Sequence, residues 1–261
     1  MTSSRKSDGI NFLTLLYVGV FVCMPLTAMA ADDEWEYKVE LYGYFPGIEA
    51  TLFTGNELEI DVEDIFSNLD MTFLGVFQAR KGDWALVLDA SYLKISADET
   101  GTRTLPIGPG GIPTDVDIGL DMEGTVINLD ASYRILETDR YDVQIVAGPR
   151  YLSLDIQAEL DASLLPGQVV VDVREHFWDM VVGVRGVGTL SDKWWLSYRF
   201  DVGAGDSEQT WNVAAQVARR FDWGSLSAGW RYQAYEFDSA DFPLVEDLTV
   251  NGPVIGFAWE F

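Results

Sequence analysis

Apolar and polar side chains alternate at every second position through most of this chain, and no stretch keeps a helical period for more than about two turns. A period of two puts successive side chains on opposite faces of an extended backbone, so the chain is committed to β-sheet. Trp84, Leu86, Leu88, Ala90 and Tyr92 share one face, with Asp89 and Ser91 on the other. Ile127, Leu129, Ala131, Tyr133 and Ile135 oppose Asn128, Asp130, Ser132 and Arg134 in the same way. The pattern recurs in Tyr141–Ala147, Trp178–Arg185, Trp194–Gly203 and Trp211–Ala218.

A soluble antiparallel sheet also alternates. Two further features point to strands that face lipid. Aromatic residues gather at the strand ends, among them Trp35, Trp84, Tyr133, Tyr141, Trp178, Trp194, Trp211 and Trp259, as girdles at a bilayer interface do. Connections also alternate in length. Tight turns fall at Lys81–Asp83, Glu137–Arg140, Ser191–Lys193 and Asp222–Ser225. Long loops cover Gly47–Asp70, Asp98–Gly119 and Glu159–Val173, with an intermediate one at Asp238–Val250. The expected fold is all-β, a single antiparallel transmembrane β-barrel spanning 31–261, with long extracellular loops and short periplasmic turns. Ten strands are expected, near 34–46, 71–81, 84–97, 121–136, 141–158, 174–189, 193–204, 209–221, 225–238 and 251–261. Glu57–Asp61 and Asp115–Leu120 either extend strands or add a hairpin, which leaves eight or twelve strands open.

Residues 1–30 read as a signal peptide, with basic Arg5 and Lys6, an apolar Ile10–Val22 and an Ala28-Met29-Ala30 cleavage pattern that is cut between Ala30 and Ala31. The one cysteine, Cys23, lies in this segment, so the exported chain has no thiol or disulfide chemistry. A formal net charge of -25 repels phosphate backbones and excludes nucleic acid as a partner.

On the polar, inward face the alternation places Lys38, Arg80, Arg134, Arg150, Arg185, Arg199, Arg220 and Arg231. Against them stand Glu36, Glu40, Asp89, Asp130, Asp142, Asp179, Asp201 and Glu260. A barrel of about eight strands is just filled by its own side chains, so this nearly neutral set is expected to pair and plug the lumen.

The closing Phe257-Ala-Trp259-Glu-Phe261 resembles the assembly signal of bacterial outer-membrane β-barrels. The stretch from Val62-Glu-Asp-Ile-Phe-Ser-Asn-Leu-Asp70 through Lys81-Gly-Asp-Trp84 to Asp89-Ala-Ser-Tyr92 is similar to a family of uncharacterised small outer-membrane barrels. That resemblance implies a fold, a location and the assembly machinery as a partner. It implies no reaction.

Sites for chemistry are sparse. The exported chain has one histidine, His176, with Glu175 and Asp179 near in sequence, and no nucleophile elbow accompanies it. Glu57, Glu59, Asp61, Glu63, Asp64 and Asp70 make the first long loop acidic, suited to weak divalent cations bridging it to lipopolysaccharide. Asp64–Leu69 is a candidate helical turn at the barrel mouth, and Gly108–Gly111 a loop tip. No cofactor is expected. Three functions compete: a non-enzymatic barrel with a filled lumen and acidic surface loops, a narrow solute channel, and a hydrolase built on His176.

Overall fold

The computed structural model describes residues 34–52, 57–60, 69–105, 112–162, 169–238, 242 and 245–260. Its strands are β1 (Glu36–Tyr44), β2 (Gly47–Leu52), β3 (Glu57–Ile60), β4 (Leu69–Lys81), β5 (Trp84–Leu105) and β6 (Ile112–Glu137). They continue with β7 (Tyr141–Ala162), β8 (Val169–Ser191), β9 (Trp194–Gly205), β10 (Gln209–Phe221), β11 (Gly224–Glu236) and β12 (Val245–Glu260). The described segments contain no helix.

Antiparallel neighbours run β1-β4-β5-β6-β7-β8-β9-β10-β11-β12, and β12 pairs back onto β1 from Lys38↔Glu260 to Tyr44↔Val254. The sheet therefore closes into a barrel of ten staves. β2 continues the stave of β1 along β12, from Asn251↔Gly47 to Val245↔Leu52. The break between them falls at Phe45-Pro46, where proline has no N–H to give to the ladder. β3 folds back on β2 as one extra strand outside the closure, so Glu57–Ile60 adds a hairpin, while Asp115–Leu120 lengthens β6.

The expected tight turns are present. Lys81 pairs with Trp84 across Gly82-Asp83, with Gly82 at φ 58°, the left-handed region that glycine enters without a Cβ clash. The longer connections need correction. β5 and β6 stay in register out to Leu105↔Ile112, and β7 and β8 out to Leu160↔Val169. Most of Asp98–Gly119 and Glu159–Val173 is therefore strand. The Gly and Pro in both stretches read as loop, but a ladder started in the barrel continues wherever both backbones can pair. Residues 1–33, with the Ala30/Ala31 junction, lie outside the described residues, as do Asp61–Asn68, Gly108–Gly111 and Phe261.

Two inward glycines bring neighbouring staves close. A Cβ on Gly148 would lie 2.0 Å from the Leu129 carbonyl oxygen, and one on Gly183 2.1 Å from that of Phe200. These two approaches flank Asp130 and Asp201, the acids at the centre of the lumen.

A closed antiparallel barrel leaves no edge and satisfies its backbone internally. We therefore expect the refolded protein to migrate differently on a detergent gel before and after boiling. Identical migration would count against closure.

Candidate functional site

The outer surface carries a continuous apolar belt. Leu86, Leu129, Ile145, Met180, Val182, Phe200, Val213, Val217 and Ile255 all stand exposed on it. At the short-turn end it is bordered by Trp35, Trp84, Tyr133, Tyr141, Trp194 and Trp223, and Trp84 packs on Tyr133 with ring centroids 4.9 Å apart. At the other end stand Tyr151 and Trp178, 4.8 Å apart, and Trp211 with Tyr232, 5.4 Å apart. On β7 the belt runs from Tyr141 to Tyr151. That matches the ~9–11 residues with which a tilted strand crosses a bilayer.

Beyond Tyr151 and Trp178 the two faces exchange character. Outward positions become polar: Lys94 pairs with Glu123 at 2.7 Å and Arg174 with Asp155 at 2.7 Å. Inward positions become apolar. Ile95, Leu152, Leu154, Phe177, Tyr235 and Phe237 pack there with Ile48, Val245 and Leu248. Phe242, in the connection between β11 and β12, enters this cluster and is 0% exposed. Its N–H donates to the Asp238 carbonyl at 2.9 Å, and its ring lies 5.2 Å from Phe237 and 5.7 Å from Phe177. The long-hairpin end of the lumen is closed by this apolar cap.

Below the cap is a polar network that spans the lumen. Arg150 and Asp201 are both 0% exposed and form an ion pair. Arg150 also donates from Nε to Asn128 Oδ1 at 2.7 Å and from Nη1 to Thr210 Oγ1 at 2.9 Å. Arg199 joins Asp201 to Asp130, at 2.5 and 2.6 Å. Asn212 donates to Asp201 at 3.0 Å and accepts from Arg231 Nε at 3.2 Å. Arg231 reaches Asp89 at 3.0 Å and the Tyr42 hydroxyl at 2.9 Å, and that hydroxyl donates to Asp89 at 2.7 Å. The chain of contacts links seven staves. Charges taken out of water need such partners, because an unpaired buried ion costs several kcal/mol.

Towards the short turns the lumen opens into a cavity of about 430 Å³. Lys38, Arg80, Arg134, Arg185 and Arg220 line it, against Asp142, Asp192 and Glu260. Arg134 holds Asp142 at 2.8 Å and Glu137 at 2.9 Å, and Lys38 holds Glu40 at 3.1 Å. Arg185 donates to the Gln78 amide oxygen at 2.9 Å, and Arg220 lies over the Trp195 ring at 5.4 Å. Arg80 is only 6% exposed, and its Nη1 makes no hydrogen bond to the described protein atoms.

The structure thus brings Asp89, Asp130, Arg150, Arg199, Asp201 and Arg231 into one network. It leaves Arg80, Arg134 and Arg185 outside it, in the cavity, where positive charge is in excess. Complete pairing along the whole lumen does not occur, because the acids and bases, equal in number, sit at different heights. Tyr42, Asn128, Thr210 and Asn212, unassigned from sequence, complete the network from inward-facing positions. Asp179 takes a separate place, holding the Ser207 hydroxyl at 2.7 Å in the turn between β9 and β10. Phe257 and Trp259 lie on the apolar outer face of β12.

His176 lies on the outward face of β8, where its Nδ1 meets Ser153 Oγ at 3.0 Å and the Tyr151 hydroxyl at 3.2 Å. Glu175 and Asp179 sit at the alternate positions and project to the other face, so they do not orient the ring.

Among solved structures, the chain is similar to the outer membrane protease OmpT from Escherichia coli, with a TM-score of 0.56 and 8% identity over 90% of this chain and 100% of that one. The translocator domain of the autotransporter NalP from Neisseria meningitidis gives a TM-score of 0.43 and 12% identity over 95% and 93% of the two chains. Ail, the attachment invasion locus protein of Yersinia pestis, gives 0.34 and 8% over 88% and 100%. Neither the protein-family models nor the curated proteins contain a match to the sequence. Closure through β1 and β12, the apolar belt with its aromatic borders and the likeness to OmpT agree: the chain has the fold of a bacterial outer-membrane β-barrel.

Proposed function

We propose that the protein is a sealed, non-enzymatic barrel of a bacterial outer membrane that holds its long acidic hairpins at the cell surface. The observation that carries this reading is the double closure of the lumen, by the apolar cap around Phe242 and by the Arg150–Asp201 network beneath it. In this reading the signal peptide is removed between Ala30 and Ala31, and the assembly machinery reads Phe257, Trp259 and Phe261. Outer-membrane lipid surrounds the belt. The acidic first hairpin, with Glu57 and Glu59 on β3, meets lipopolysaccharide through weakly held divalent cations. No cofactor is needed. A narrow solute channel is the second reading, favoured by the 430 Å³ cavity at the short-turn end. It requires the cap to move aside.

An epitope placed at Gly108–Gly111 should be labelled by antibody on intact cells. The same epitope at Asp192-Lys193 should be labelled only after the outer membrane is permeabilised. The reverse pattern would overturn the orientation and the surface role with it.

A further inference from the structure

The cavity at the short-turn end holds a charge arrangement that the sealed scaffold does not require. In a chain of net charge -25, five of the eight charged side chains around it are basic. Three of these have no ion-paired carboxylate among the described residues: Arg220, which lies over the Trp195 ring, and Arg80 and Arg185. Arg80 is nine-tenths buried with a guanidinium nitrogen unpartnered, and Arg185 is met only by the neutral Gln78 amide. Of the acids within electrostatic range of the two, Asp142 and Glu137 are engaged by Arg134, Glu40 by Lys38 and Asp130 by Arg199, while Glu36, the cross-strand neighbour of Arg80, stands exposed and makes no ion pair with it among the described residues. Arg80 and Arg185 also lie within range of each other, so each raises the other's need for a counter-charge. Two guanidinium forks facing a shared, partly enclosed space are suited to an anion that can accept several hydrogen bonds at once. A volume of about 430 Å³ admits a small solute. Barrel closure excludes lipid from the side, so entry is through the short-turn mouth.

We propose that this cavity is a binding site for a small soluble oxyanion of the phosphate class, gripped by Arg80 and Arg185 and taken up from the periplasmic side. Tetrahedral phosphate oxygens offer acceptors to both forks, and Trp195 with Arg220 over its ring forms a further part of the lining. The site goes beyond the sealed-scaffold reading and does not depend on it, since it needs only the lower half of the lumen.

The test is calorimetric titration of the refolded protein, in zwitterionic detergent at physiological salt, with inorganic pyrophosphate. The expected result is saturable binding of one pyrophosphate per barrel. Arg80→Gln and Arg185→Gln should each weaken it about 10- to 100-fold, as loss of hydrogen bonds to a charged group does. Both variants should keep the gel shift of the folded barrel, which separates lost binding from lost folding. Absence of saturable heat would overturn the site, and so would binding that survives both substitutions. Bilayer current through the wild-type barrel would overturn the sealed reading and leave this one standing, so the two fail separately.

Discussion

Asp201→Ala is expected to destabilise the folded barrel by about 3–5 kcal/mol, the cost of breaking a buried pair and leaving its partner charged and unmatched. Arg150 is 0% exposed, and among the described residues Asp201 is the one carboxylate it pairs with; Asn128 and Thr210 would remain as its neutral partners. Arg150→Ala should cost less, because Arg199 and Asn212 still hold Asp201 at 2.5 and 3.0 Å. Arg185→Ala should cost least of the three, since it orphans no acid. Replacing both partners by apolar residues, as in Arg150→Met with Asp201→Leu, should recover much of the loss, because no unmatched ion is left behind. Urea unfolding of the protein in lipid vesicles, followed by tryptophan emission, ranks the variants. Equal losses for Asp201→Ala and Arg185→Ala would mean that the network does not govern stability.

The second large effect belongs to the outer face. Val184 stands in the middle of the apolar run of β8, between Trp178 and Leu190. Val184→Arg should cost about 2–4 kcal/mol, the depth-dependent expense of a cation at the bilayer midplane. His176 projects from the same face of the same strand, just beyond Trp178. His176→Arg should cost only about 0–1 kcal/mol, because its side chain is already among water-facing groups such as Arg174 and Asp155. The same unfolding assay reads both. Similar costs at the two positions would move the border of the belt away from Trp178.

The strand positions were legible because they rest on period two and on turn chemistry, both local. Gly82-Asp83 and Asp192-Lys193 stand where their turns are expected, and the apolar set from Trp178 to Val184 marks its own outward face. The cap is hidden from strand-by-strand alternation. Through Asp172-Val173-Arg174-Glu175-His176-Phe177 the polar side chains hold mostly even numbers, but from Trp178 onward the apolar ones do. That exchange of parity is in the sequence, and it signals a strand leaving lipid for water while its inner face goes from wet to dry. Alternation alone does not say which face is inside, so a single inward polarity carried along the whole strand hides the switch. Phe242 lies off the strands, and only the fold brings it to Phe177 and Phe237. The partners of the lumen charges were equally out of reach. Residue parity selects a face, but which acid meets which base depends on stagger around the closed sheet. Arg231 and Asp89 are far apart in sequence and meet because their staves place them at one height.

Closure of the lumen is the central claim, and current through the single barrel tests it most directly. The refolded wild-type protein, inserted in a planar bilayer under applied potential, should give no steady conductance, because the Phe242 cap and the Arg150–Asp201 network obstruct the same path in series. A stable, ion-selective open state in the wild-type protein would contradict the account and establish a channel.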